Sequence, residues 1–235
     1  MVSRVRAGVP FARTLVVALA AVLAGCAGSG NGVGSKSAAE ILAASRTAAQ
    51  SASSVHVVSR SSQDKGRLSV AYDLQLASGG ARTHTTIFGR SDEVVRIGDT
   101  VYVKGGPVLY ERLARKTGVH VPQGAWLKEP PSLRVPEQTD LSSELGLLLR
   151  APTVSLTKGA TTTINGQKAI ELKETGKLYT GAIYIATTGK PYPILIVKHG
   201  RTTGQTTFNG WNDRVMLSSP ANAVELSKLE RGGAH

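Results

Sequence analysis

Cysteine is almost absent from this chain. Cys26 is the only one in 235 residues, so no disulfide can form within the chain and its fold must rest on its core. Aromatic residues are also scarce, at 5%. Acids are outnumbered: 16 Asp and Glu stand against 28 Lys and Arg, for a net charge of +12. No apolar run approaches the roughly 20 residues that a membrane-spanning helix needs. Signatures of catalysis are missing. No G-x-S-x-G elbow, S-x-x-K or H-E-x-x-H pattern stands in a context that supports chemistry. None of His56, His84, His120, His199 and His235 has a His or Cys neighbour at metal-ligand spacing, so no metal site is expected. Lys104-Gly105-Gly106-Pro107 precedes no G-K-[ST] and reads as a plain loop. Asp92-Glu93 and the pair Glu171 and Glu174 read as solvated positions, not as acid–base pairs. No cofactor and no enzymatic activity is expected.

What is present begins at the N-terminus. Arg4, Arg6 and Arg13 form a basic front, Leu15 to Leu23 an apolar core, and Ala24 and Gly25 are small residues just before Cys26. A basic region, a short apolar region and a small-residue cleavage site define a secretory signal. Leu23, Ala24 and Gly25 before Cys26 resemble the lipobox of bacterial lipoproteins. That resemblance implies a diacylglyceryl group on Cys26, cleavage just before it and acylation of the new N-terminus. Two or more acyl chains suffice for stable anchoring, which places the protein on the outer face of the cytoplasmic membrane. An exported protein rarely meets nucleic acid. The basic residues are scattered apart from Arg112, Arg115 and Lys116, with no stacking aromatics between them. Anionic lipid headgroups or acidic wall polymers fit better as partners, alongside a simply solvated basic face.

Residues 26–37 combine the lipidated cysteine with a Gly-, Ser- and Asn-rich stretch that reads as a flexible tether. Ser37-Ala38-Ala39-Glu40 is a capping box, and the spacing of Ile41, Ala44, Ala48 and Ala52 predicts a helix from Ala38 to about Ala52. Its face is mostly small. From Val55 the period changes to two. Strands are expected at Val55–Arg60, Leu68–Ala77, Ala81–Phe88, Glu93–Ile97 and Thr100–Lys104. In the clearest of them Leu68, Val70, Tyr72, Leu74 and Leu76 alternate with more polar residues, as in an antiparallel sheet covered on one side. Gly105 to Pro136 is a proline-rich insertion, with a short helix over Leu109–Lys116 and a brief strand at Ala125–Lys128. Thr139 or Asp140 caps an apolar helix over Leu141–Leu149. Strand period then returns. Asn165-Gly166 marks a hairpin between Val154–Thr162 and Ala169–Lys173. Leu178–Ala186, Pro193–Lys198, Gln205–Trp211 and Arg214–Leu217 follow, and one helical turn is expected within Pro220–Leu226. The sum is α+β, about ten antiparallel strands with helices on one face.

Four segments carry a resemblance. Leu178-Tyr179-Thr180-Gly181-Ala182-Ile183-Tyr184-Ile185, Tyr192-Pro193-Ile194, Phe208-Asn209-Gly210-Trp211-Asn212 and Pro220 with Val224-Glu225-Leu226 are similar to the C-terminal half of actinobacterial LppX/LprG-type lipoproteins. The first helix and the first strand, with His56, are similar to their beginning. The resemblance covers roughly residues 38–229; Gly105 to Pro136 matches nothing in it. It implies the fold of the carriers LolA and LolB, a strongly curved antiparallel sheet forming an open half-barrel, with helices over its concave face and acyl chains between. Some members carry glycolipids across the cell envelope.

The domain reading is a signal peptide over 1–25, lipidated cysteine and tether over 26–37, a LolA-like lipid-binding domain over 38–229 and a disordered tail over 230–235. Residues expected to line a cavity are Val70, Tyr72, Leu74, Leu76, Val101, Val103, Leu145, Leu148, Ile170, Leu172, Ile183 and Ile185. The same residues serve equally well as packed core. Two functions follow: a carrier that holds lipid or glycolipid without covalent chemistry, or a non-catalytic adaptor with a filled core that contacts wall polymer or an envelope protein. A hydrolase assembled from the insertion is a third. Mass spectrometry of the membrane fraction should show a chain beginning at Cys26 with a diacylglyceryl mass; an intact, lipid-free chain beginning at Ala27 or earlier would exclude the anchor.

Overall fold

The computed structural model describes residues 30–63, 66–129, 141, 145, 146, 149 and 155–228. The signal segment, the lipobox residues Leu23, Ala24 and Gly25, Cys26, Leu148 and the tail 230–235 lie outside the described residues.

A single open sheet of twelve strands organises the chain. The first meander comprises β1 (Ser54–Gln63), β2 (Leu68–Ala77), β3 (Gly80–Ile87), β4 (Arg90–Ile97) and β5 (Thr100–Lys104). After helix α2 (Pro107–Thr117) comes the short β6 (Leu127–Glu129). The second meander comprises β7 (Ser155–Ile164), β8 (Gln167–Thr175), β9 (Tyr179–Ala186), β10 (Pro193–Gly200) and β11 (Thr202–Asn209), and β12 (Val224–Glu225) closes the chain. The order across the sheet is β12-β6-β5-β4-β3-β2-β1-β11-β10-β9-β8-β7, so β12 and β7 are edges and the sheet does not close. Every pairing is antiparallel except β12 with β6. Strand β1 joins the meanders, pairing with β2 on one side and with β11 on the other, from His56 opposite Asn209 to Gln63 opposite Thr202.

Twelve strands stand against the expected ten or so; the short β6 falls where a brief strand was read at Ala125–Lys128, and the two-residue β12, not expected, completes that edge. The expected strand Arg214–Leu217 has no ladder; this stretch lies beside the sheet, with Leu217 close to Gly80 on the face away from the main core. The helical turn expected within Pro220–Leu226 is instead preceded by the parallel pairing of Val224 with Leu127. The Asn165-Gly166 hairpin forms as expected, with φ values of 50° and 79°, the left-handed pair that a two-residue turn requires.

Helix α1 (Ala38–Gln50) begins as expected. The Ser37 N–H donates to Glu40 Oε2 at 2.8 Å and the Glu40 N–H donates to Ser37 Oγ at 3.4 Å. Its inward residues Ile41, Leu42 and Ala49 join Val55 and Val57 of β1, Leu74 and Leu76 of β2 and residues of β8 to β11 in the main core. The helix lies against β7 and β9. The stretch before it is not free. Asn31 donates its backbone N–H to Thr187 O at 2.8 Å and its side chain to Ala186 O at 2.9 Å. Val33 is buried in the main core, and Lys158 Nζ caps the Gly34 and Lys36 carbonyls. The expected tether is therefore docked from residue 30 onward, because Val33 gains burial and Asn31 satisfies the end of β9.

A second, smaller core packs Tyr110 of α2 with Val121, Leu127 and Leu226 at the β6–β12 edge. Gly118, at φ 70°, ends α2. Removing the first cap tests how much α1 depends on it: Ser37→Ala should cost about 1 kcal/mol, read as a lower midpoint in thermal denaturation.

Candidate functional site

The inward face of the sheet can be followed row by row through the register. One row runs Ile170 (β8) to Ile185 (β9), and another Phe208 (β11), Val57 (β1), Leu74 (β2). Leu172, Ile183 and Ile196 form the next, continuing to Thr206, Ser59 and Tyr72. Beyond these the face turns polar. Glu174, Gly181, Lys198, Gly204 and Ser61 stand in register across five strands. Period-two alternation thus places an apolar floor under α1 and a polar strip beside it.

Seven of the residues expected to line a cavity meet in the main core: Leu74, Leu76, Leu145, Ile170, Leu172, Ile183 and Ile185. Leu141, Leu145 and Leu149 of the expected apolar helix share that core, and the Leu149 N–H donates to Leu145 O at 2.9 Å as a helical bond. Tyr72 is half-buried against the core, and Val70 is half-buried one pair further along β2. Val101 and Val103 are on the same face but belong to neither core. With Val94, opposite Val103, they form a half-buried patch of valines that Arg96, opposite Val101, completes on the same face. The expected residues therefore fall into a packed part and an incompletely covered part.

Sequence reasoning missed the polar members of this face. Glu174 was expected to be solvated, yet it is 5% exposed and its Oε2 has no hydrogen-bond partner. The signal was present, since Glu174 is two residues from Leu172 and alternation aims both inward. Burial pushes its carboxyl above the ordinary range, with the nearby Lys198 charge acting in the opposite sense. Burial, and then the Glu174 charge, push the Tyr179 hydroxyl up as well. Lys198 Nζ lies 5.4 Å from the Tyr179 ring centre, a cation–π distance. Gly181 and Gly204 flank Lys198. A Cβ on Gly181 would lie 2.5 Å from Val197 O, and one on Gly204 2.5 Å from Arg60 O, so the backbone itself keeps this strip bare. A cavity of about 220 Å³ opens here, lined by Ser59, Ser61, Ile196, Lys198 and Thr206 among others. The buried Ser45 Oγ of α1 also lacks a partner.

The outer face carries a separate groove of about 390 Å³, lined by His56, Gln75, Asn209, Asp213, Arg214 and Met216 with their neighbours. His56 bridges two side chains, with Nδ1 3.0 Å from Asn209 Oδ1 and Nε2 2.8 Å from Asp73 Oδ1. The motifs around Tyr192 and Trp211 are structural. Their rings stack at 4.4 Å, Trp211 Nε1 donates to Pro193 O at 3.2 Å, and Asn212 Nδ2 donates to Tyr192 Oη at 2.7 Å. Among the described residues no three His, Cys, Asp or Glu side chains gather to hold a metal ion.

No family model and no curated protein matches the chain. Among solved structures it is similar to LprF from Mycobacterium bovis, of the LppX/LprG type to which the sequence is similar. The two share 15% identity over 79% of this chain and 97% of that one, with a TM-score of 0.49. An uncharacterised conserved protein from Thermus thermophilus matches at 12% identity over 80% and 97%, with a TM-score of 0.39. MucB, in a MucA/MucB complex from Pseudomonas aeruginosa, matches at 15% identity over 82% and 60%, with a TM-score of 0.34.

Glu174 yields a prediction with a definite sign. A carboxyl whose value is raised on folding contributes stability below its ordinary value near 4.5, and that contribution is lost as pH rises through the raised value. Glu174→Gln should therefore leave stability little changed at pH 4 and increase it by about 1 kcal/mol at pH 7. The melting temperature should rise by about 2–4 °C at the higher pH only.

Proposed function

We propose that the protein is an envelope lipoprotein, anchored through Cys26 on the outer face of the cytoplasmic membrane. It would hold a hydrophobic ligand, an acyl chain or glycolipid, between the inward sheet face and the elements above it. The observation that carries this reading is the broken cover of one continuous face. The main core and the α2 core lie on the same sheet, and Val70, Tyr72, Val94, Val101 and Val103 are left half-buried between them or beside them. Soluble proteins normally bury such a surface at near-crystal density. An apolar strip that stays accessible beside a packed floor suits a chain that enters and leaves.

The polar end supports the same reading. Glu174 Oε2 and Ser45 Oγ are buried oxygens without a partner, and orphaned groups of this kind call for a guest or a water. A ligand hydroxyl near its chains would satisfy Glu174 at the polar strip. The chemistry is binding without bond making, since no nucleophile and base are placed together here.

The test is direct. Native mass spectrometry of the purified protein should show co-purified lipid, and a fluorescent fatty acid should be taken up. Val103→Trp, which fills the valine patch, should reduce uptake by about tenfold while the fold stays intact by circular dichroism. Absence of lipid together with absence of uptake would remove the carrier reading. It would favour the adaptor, for which the outer groove with His56, Gln75, Asn209 and Arg214 offers polar contacts to wall polymer.

A further inference from the structure

The turn between β3 and β4 breaks a local rule. Phe88 and Gly89 have φ values of 51° and 77°, matching those of Asn165 and Gly166 in the turn between β7 and β8. Two turns of one backbone geometry thus carry different residues. Asn tolerates the left-handed region and Phe is a genuine outlier in it. Nothing in packing offsets this strain, because Phe88 is 58% exposed. A residue that breaks local preference with no packing gain marks a position shaped by something other than folding.

Phe88 is not isolated. Of the six large hydrophobic side chains exposed among the described residues, four lie at one end of the sheet: Leu68, Ile87, Phe88 and Leu178. The register lines them up there. Val70 faces Ile87, the Phe88 N–H donates to Ser69 O at 3.0 Å, Gln63 faces both Leu68 and Thr202, and the Arg201 N–H donates to Leu178 O at 3.4 Å. The cations Arg67, Arg90, Lys177 and Arg201 adjoin them, all exposed and with no carboxylate partner among the described residues. Single exposed apolar residues are ordinary; here Leu68, Ile87 and Phe88 cluster on neighbouring strands, Leu178 stands at the same end across β1, β11 and β10, and cations unpaired among the described residues lie between and beside them, the composition of a membrane interface.

The geometry points to this end of the sheet as a docking rim for an anionic lipid bilayer. Phe88 and Leu178 enter the interface, and the flanking cations meet lipid phosphates. The bare hairpin tip, with Phe88 58% exposed, offers a point for insertion into a bilayer. The inference does not depend on any ligand inside the protein.

Phe88→Trp in a full chain carrying Cys26→Ala, so that no acyl anchor contributes, with Trp126 and Trp211 replaced by Phe, mixed with vesicles of phosphatidylglycerol and phosphatidylcholine, gives a local readout. Emission of the introduced indole should shift to the blue and be quenched by brominated acyl chains, more strongly with phosphatidylglycerol present. Leu178→Trp gives the same readout from the turn between β8 and β9, at the same end of the sheet, should the larger ring at position 88 perturb its hairpin. Arg90→Ala should weaken vesicle binding about fivefold, the equivalent of about 1 kcal/mol for a basic residue near an anionic surface. Phe88→Asn separates docking from a structural role: it should raise the melting temperature, because Asn suits the turn, while lowering vesicle affinity about tenfold. A Phe88→Asn chain that melts lower, or binds vesicles unchanged, would overturn the proposal. So would tryptophan reporters that respond only to protein concentration, which would assign the rim to a second copy, or that respond to neither.

Discussion

The pairing of β1 with β11 is the constraint on which everything else rests. It brings together residues about 150 positions apart, as in His56 opposite Asn209, and its loop-closure cost is correspondingly large. Without it the chain would be two meanders, each with an apolar face and little to cover it. With it, Val57 lies between Leu74 and Phe208, and the inward face continues from β8 to β2 with only Thr206 and Ser59 interrupting one row. Trp211, stacked on Tyr192 and bonded to the Pro193 carbonyl, fastens the end of this seam. The Asn212 N–H, donated to Ser54 O, ties the same turn to the start of β1.

That continuous face sets a covering problem. A helix of thirteen residues is about 20 Å long, too short to roof twelve strands, and α1 presents Ala48, Ala49 and Ser45 among its buried residues. Small side chains let it approach β7 and β9 closely but fill little volume. Helix α2 serves only the far edge, through Tyr110 and Leu127. Leu141, Leu145 and Leu149 add bulk where α1 lacks it. The half-buried valines of β4 and β5 are the remainder. The polar strip has a related origin, since Gly181 and Gly204 cannot accept a Cβ where neighbouring backbone comes so close. No larger side chain can fill that row, and Glu174 and Lys198 stand on either side of Gly181.

Much of this was legible in the residues, for local reasons. Alternation along Leu68–Ala77, the Asn165-Gly166 turn and the Ser37–Glu40 box depend on neighbours in sequence, and each appears where it was read. What depended on distant residues was not legible. The Val224–Leu127 pairing joins two fragments too short to show a period. Arg214–Leu217 has strand-like composition but meets no open edge, because β1 already occupies the free side of β11. The docking of Asn31 and Val33 could not be read from a Gly- and Ser-rich stretch, because the groups that hold it are on β7 and β9. Glu174 was misjudged for the opposite reason: its charge was weighted above its place in the alternation.

The docked segment also fixes an orientation. Asn31 is held at the end of β9 by Thr187, while Tyr179 and the exposed Leu178 mark the other end of the same strand. Eight residues of strand at about 3.3 Å each separate the two by roughly 26 Å. Only four residues connect position 26 to position 30, a reach of at most about 14 Å. An anchor at Cys26 would therefore hold the Thr187 end close to its own membrane, and the Phe88–Leu178 rim would face away from it. A connection of that length would not let the rim of an anchored chain reach back across the body.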